Sequence, residues 1–173
     1  VNSAVLSAAS LVRTAGGTLT FSGPNGQAGN TARMTFGLIG GVSTASVGGG
    51  LQNNVIGGWA VTSTGDFASY LPGLGVGGLG QTGFLAYSST VLSNSSTSSQ
   101  NIKITTAAST VSTDVTVNAL ATSAVAVGTV NISATKTLTI GSGGILSNAT
   151  STWYIGSAVG TGTLTSGGDE LFL

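Results

Sequence analysis

The residues able to do chemistry are few. Four carboxylates (Asp66, Asp114, Asp169, Glu170) and four cations (Arg13, Arg33, Lys103, Lys136) are all the ionised side chains of 173 residues, and His and Cys are absent. Thiolate nucleophiles, disulfides, imidazole acid–base catalysis and the common zinc sites therefore have no residues to work with. Glycoside cleavage needs two carboxylates about 5–9.5 Å apart. Only Asp169 and Glu170 adjoin, and neighbours in a strand point to opposite faces. Asp66 and Asp114 could meet only if the chain stacked on itself, and lyase chemistry would want Lys, Arg or Ca²⁺ beside them. A calcium site takes about six to eight oxygens, and the Gly-Gly-x-Gly-x-Asp pattern of calcium-loaded β-helices is missing. The expectation is no enzyme: no catalytic, cofactor-binding or metal-binding residues, with the acids solvated or capping corners.

Uncharged recognition is the other possibility. Trp59 lies in Ile56-Gly57-Gly58-Trp59-Ala60-Val61, near Phe67, Tyr70, Phe84 and Tyr87. Exposed aromatics stack on sugar rings, but large aromatics more often pack. Residues 57–87 depart from strict alternation, so they are expected to form a loop or side lobe, near 57–100, whose aromatics pin it down. Thr-x-Thr recurs at Thr18/Thr20, Thr62/Thr64, Thr135/Thr137/Thr139 and Thr161/Thr163/Thr165. Flat Thr arrays order water on ice-binding solenoids only when consecutive coils align them. Here the instances look scattered, and Thr on strands is common on propensity grounds. Asn94-Ser95-Ser96, Asn131-Ile132-Ser133 and Asn148-Ala149-Thr150 match the N-glycosylation pattern, as chance predicts in a chain this rich in Asn, Ser and Thr. Residues 93–99 read as an exposed, solvated loop.

Gly 29, Ser 24 and Thr 26 dominate the composition, and charged residues are 5% at zero net charge. Without a basic excess there is no electrostatic footprint for nucleic acid or an anionic membrane surface. No run of about 20 apolar residues would span a bilayer. Val1-Asn2-Ser3 opens with neither Met nor a charged start and apolar block, so the chain reads as a mature segment. At 40% hydrophobic residues it is too apolar for a disordered tract. A compact globule would ordinarily coat itself with about 25–35% charged residues, so the architecture must tolerate a neutral surface of Thr, Ser and Asn.

The elements that would position these residues are strands. Thr18-Leu19-Thr20-Phe21, Thr31-Ala32-Arg33-Met34-Thr35-Phe36, Asn101-Ile102-Lys103-Ile104-Thr105, Asp114-Val115-Thr116-Val117-Asn118, Thr129-Val130-Asn131-Ile132-Ser133 and Thr137-Leu138-Thr139-Ile140 alternate with period two, the half-buried strand pattern. Gly and Asn clusters separate them, supplying positive φ at corners. Helical spacing at Val5/Ala8/Ala9/Val12 and Val117/Leu120/Ala121/Ala124 is short and leans on Ala; the first stretch is the one candidate for a capping helix, and a poor one. Strands this short suit an antiparallel sandwich or a solenoid. Internal echoes favour the solenoid: Gly17-Thr18-Leu19-Thr20 returns as Lys136-Thr137-Leu138-Thr139 and as Gly162-Thr163-Leu164-Thr165. Self-similarity at a few tens of residues means stacked coils. At about 20–26 residues per coil, seven or eight coils are expected, with a narrow Val, Ile, Leu and Ala interior.

Residues 11–23 (Leu-Val-Arg-Thr-Ala-Gly-Gly-Thr-Leu-Thr-Phe-Ser-Gly), Ile56-Gly57-Gly58-Trp59-Ala60-Val61, Gly65-Asp66-Phe67-Ala68-Ser69-Tyr70, Ser142-Gly143-Gly144-Ile145-Leu146 and the closing Gly162–Leu171 segment, in that order, resemble a unit of the autotransporter-associated β-strand repeat family. The likeness spans nearly the whole chain, about one full unit. It implies a right-handed parallel β-helix, export to the bacterial surface or exterior, and a structural or passenger role, with no catalytic residues to carry over. No membrane-embedded barrel domain is present in the sequence. The chain, 1–173, is thus expected to be one β-helical unit, joined to others in tandem or stacked end to end with copies of itself as a fibre, filament or rod. An adhesin binding glycans or surfaces is the alternative, and a carbohydrate-active β-helix enzyme a lesser one.

Overall fold

The computed structural model describes residues 4–22, 32–46, 51–123, 127–156, 162–168 and 170–173. Among them the fold is all β with no helix, and parallel stacked strands form a β-solenoid of about 6 turns. The chain divides into two compact units, residues 1–86 and 87–173.

The first unit mixes parallel stacking with antiparallel hairpins. Strands β1 (Val5–Leu11) and β3 (Arg33–Ile39) pair in parallel, Val5 opposite Arg33 and Leu11 opposite Ile39. β2 (Leu19–Phe21) pairs in parallel with β5 (Ala60–Thr62), 41 residues further on. In between, the chain reverses at Gly40-Gly41, whose φ angles of 59° and 82° close a two-residue turn, and β4 (Val42–Ser43) folds back on β3. β6 (Ala68–Leu71) and β7 (Gly75–Gly78) form a second antiparallel hairpin. Side chains then close the far edge of β3. The Tyr70 hydroxyl donates to Phe36 O at 3.1 Å and accepts from Phe36 N at 3.3 Å, and Arg33 donates to Gly73 O. Phe21, Ile39, Ile56, Ala60, Ala68, Tyr70 and Val76 make the core.

The second unit is regular. β8 (Asn101–Ile104), β9 (Ala108–Val111) and β10 (Val115–Val117) form one turn. β11 (Ala119–Thr122), β12 (Gly128–Ile132) and β13 (Thr137–Ile140) form the next, and β14 (Ile145–Ser147), β15 (Trp153–Ile155) and β16 (Thr163–Thr165) the third. Each strand pairs in parallel with its counterpart one turn away, giving three three-stranded sheets: β8-β11-β14, β9-β12-β15 and β10-β13-β16. The register aligns like with like. Ile102, Leu120 and Ile145 stack in one column, Val115, Leu138 and Leu164 in another, and Val117 meets Ile140. Ile102, Leu120, Leu138 and Ile140 are wholly buried. Alternation thus becomes an apolar interior and a hydroxyl-bearing exterior because every turn repeats the same phase.

Three sequence expectations change. The turns number about six, not seven or eight, because turn length is not constant. The repeat from Ile102 to Leu120 takes 18 residues and that from Leu138 to Leu164 takes 26, while the first unit spends its length on hairpins. Residues 57–100, expected as a loop or side lobe, are mixed: β5, β6 and β7 occupy 60–78, and no strand lies between Gly78 and Asn101. Ala60, Phe67, Ala68 and Tyr70 are core residues of the first unit. Residues 88–90 run parallel to β8 in the second unit, with Ser88 N donating to Asn101 O at 2.8 Å and Lys103 N to Ser89 O at 2.9 Å, and Leu92 enters its core. Finally, the capping-helix candidate Val5–Val12 is strand β1 with the residue after it. Six of β1's seven residues are exposed on both faces, so its apolar spacing reflects small residues at an edge rather than a buried stripe.

Candidate functional site

A concave surface in the first unit lies around Trp59 and Arg13. Two open grooves, about 880 Å³ and 360 Å³, share Val12, Arg13 and Trp59 in their walls. The larger continues over Ile39, Leu51, Gln52 and Ile56. Volumes of this order suit small ligands or oligomer segments.

Local geometry fixes both key side chains. Trp59 ends a turn closed by Ala60 N donating to Gly57 O at 3.1 Å, and its own carbonyl accepts from Leu19 N at 2.9 Å where β5 joins β2. Gly57 leaves the indole its place: a Cβ there would stand 2.2 Å from Trp59 Nε1. Arg13 follows β1 and enters the turn closed by Gly17 N donating to Thr14 O. Its Nε donates to Gly17 O at 2.9 Å, and the guanidinium carbon stands 5.9 Å from the Trp59 ring centroid, a cation–π distance. Gln52 is set by a two-residue reversal in which Gln52 and Val55 exchange both main-chain hydrogen bonds (2.8 and 3.2 Å) and Asn53 and Asn54 take φ of 48° and 73°. The half-buried Trp59 of the sequence reading therefore packs and also faces open space. The partnership of Arg13 with Trp59 had no sequence signal, since 46 residues separate them and the parallel register alone brings them together.

Each described acid has its own local setting. Asp114 is exposed in the second unit, and its Oδ1 accepts from Thr137 N at 2.9 Å, capping the corner before β13. Asp66 is in the first unit, in the turn where its carbonyl accepts from Thr62 N at 2.8 Å. Glu170 is exposed, and Asp169 lies outside the described residues. No cluster of three or more His, Cys, Asp or Glu that could hold a metal occurs among the described residues.

The threonines are less scattered than the sequence suggests. Thr137 pairs with Thr163, and Thr116, Thr139 and Thr165 form a continuous column across β10, β13 and β16, all on the side opposite the buried Val115, Val117, Leu138 and Ile140. Phase coherence between turns creates this small grid; a count of motifs cannot show it. Thr62, by contrast, is buried and bonds Thr64 at 2.8 Å, and Thr161 lies outside the described residues. Of the sequons, Asn94 is tied to Ser112 by two hydrogen bonds of 2.8 Å, Asn131 is half-buried within β12, and Asn148 is exposed. Residues 93–99 are largely exposed, and their turns close through their own hydroxyls, Ser93 N donating to Ser96 Oγ at 3.1 Å.

One feature of the second unit was missed altogether. At the corner leading into β8, β11 and β14, Asn101, Asn118 and Ser142 are buried in line. Asn118 Nδ2 donates to Asn101 Oδ1 at 2.7 Å, and Ser142 Oγ donates to Asn118 O at 2.7 Å. The sequence reading places Asn101 and Asn118 at the ends of alternating strands and Ser142 in a Gly-rich corner; aligning the three needs the turn length to be known.

No family model matches the chain, and no curated protein and no solved structure matches it.

Proposed function

We propose that this chain is a structural element of an extracellular bacterial fibre or surface rod, built by adding β-helical turns end to end and akin to the autotransporter-associated repeats its sequence resembles. The observation that carries the reading is the way burial fades along the second unit's columns. Leu138 and Val130 are wholly buried, whereas their counterparts one turn on, Leu164 and Ile155, are only half-buried. Among the described residues β15 and β16 are edge strands of their sheets, and the outer edge of β14 meets only Phe172, whose O accepts from Ile145 N at 2.9 Å. In the first unit, β1 likewise pairs on one edge and exposes Val5 and Leu6. Edges of this kind invite a further strand, and a stacked array gains one set of main-chain hydrogen bonds and one apolar layer per added turn. A 5% charge content suits stacking, because like charges do not superpose from turn to turn.

In this role the protein's mechanism is its shape, catalysis is not involved, and its partners are neighbouring units or copies of itself. Electron microscopy and light scattering of the purified chain across a concentration series test it. Linear assemblies that lengthen with concentration are expected; a monomer that persists at the highest concentration overturns end-to-end addition.

A further inference from the structure

We propose that the second unit's last turn takes up the first two strands of another copy of this chain. β2 of that copy continues the Thr-Leu-Thr columns of β16, and its β1 lies along β15, so one turn is assembled from two copies. This rests on the rod reading and gives its junction a register. Three observations carry it. First, the open edges match in kind and direction. Among the described residues, β15 and β16 pair only with β12 and β13, strands of the turn before, whereas β1 and β2 pair only with β3 and β5, strands further along the chain. Setting β1 and β2 of one copy on β15 and β16 of another keeps every strand parallel and the chain running one way through the stack. None of these four strands carries a charge or a proline to blunt its edge. The contact is head-to-tail, so it repeats without closing.

Second, the sequence echo supplies the register. Thr18-Leu19-Thr20 repeats Thr137-Leu138-Thr139 and Thr163-Leu164-Thr165, and the latter two already lie in line, Leu138 opposite Leu164 and Thr139 opposite Thr165. Leu164 and Leu19 are both half-buried, each packed against the core of its own unit. With Leu19 of the next copy set on Leu164, the column Val115–Leu138–Leu164 gains a fourth apolar member, and Thr20 extends the column of Thr116, Thr139 and Thr165. A slip of one residue would turn the hydroxyls inward. Third, a further turn is already begun. Phe172 bridges Gly144 in parallel, its N donating to Gly143 O at 2.8 Å and its O accepting from Ile145 N at 2.9 Å. It covers β14 and leaves β15 and β16 to be covered. Val5 and Leu6 of β1, 55% and 66% exposed, would meet there a hollow of about 200 Å³ whose walls include Ile145, Trp153, Ile155 and Leu173.

The test is cysteine trapping in the full chain, which has no Cys of its own. Thr165→Cys and Thr20→Cys chains are mixed and oxidised. A disulfide spans only about 4.4–6.8 Å between Cα atoms, so the expected yield of the mixed dimer is at least about tenfold above that of Thr165→Cys with Thr116→Cys. Thr163→Cys with Thr18→Cys repeats the test elsewhere in the same columns and decides it even if the first pair folds poorly. Equal trapping of Thr116→Cys, or Thr165→Cys joining mainly to itself, overturns the proposal. If electron microscopy still shows linear assemblies in that case, the rod reading stands and only the register falls. A chain that neither cross-links nor assembles overturns both.

Discussion

The two halves of this chain use the same amino acids to different ends. In the second unit every turn repeats the phase of the last, so Val, Leu and Ile fall into columns, Thr into an outer grid, and Asn101, Asn118 and Ser142 into a buried polar line. In the first, parallel pairing is interrupted by two hairpins, and beyond the short pairing of Leu38 and Ile39 with β4 the edge of β3 is closed by the side chains of Tyr70, Arg33 and Thr44. Regular stacking gives a surface that can be extended. Broken stacking gives concavity, and the Arg13–Trp59 grooves sit where it is broken.

The comparison can be broken most forcefully in a column. Leu138 is wholly buried between Val115 and Leu164, so Leu138→Ala should cost about 2–5 kcal/mol, read from urea unfolding. A loss below about 1 kcal/mol would mean that the columns are not the unit's main support. Next comes the polar line. Asn118→Ala removes a buried donor to the Asn101 amide oxygen and should cost about 1–3 kcal/mol, with amide exchange accelerating around residues 100–102 and 118–120. Unchanged exchange there would remove the ladder from the account.

In the first unit the corresponding support is a side-chain cap. Tyr70→Phe removes the hydroxyl that serves both Phe36 groups and should cost about 1 kcal/mol, with the Phe36 amide losing protection. The smallest effect is expected at Asp114. Asp114→Asn keeps an acceptor oxygen for Thr137 N, so stability should stay within about 0.5 kcal/mol, as a pure corner cap requires. A thermal melt showing a larger loss would give the carboxylate charge a role that the geometry does not.

What was legible in the sequence follows the same divide. Period two, the Gly and Asn corners and the Thr-Leu-Thr echoes pointed to a parallel solenoid, and the echo at Leu138 and Leu164 is a register pair. Turn count and the nature of residues 57–100 were not legible, because turns of 18 to 26 residues and antiparallel reversals share the same Gly-rich punctuation. Val5–Leu11 misled for a related reason. Val5, Ala8, Ala9 and Val12 fit helical spacing, yet Val5, Ala8 and Ala9 sit on an exposed edge strand with Val12 just after it, where no apolar face is needed to hold them. Of the candidate site, Trp59 stood out by type alone. Arg13, Gln52 and the Thr grid acquire meaning only through register, a long-range property that no local window contains.

The most direct test of the account is inter-strand NMR contacts at Thr139. In-register parallel turns predict amide-to-α contacts from Thr139 and its strand neighbours to the Thr116 strand on one side and the Thr165 strand on the other. Contacts instead to the strands adjacent in sequence, β12 or β14, would make the second unit an antiparallel meander and contradict the stacking on which everything else here depends.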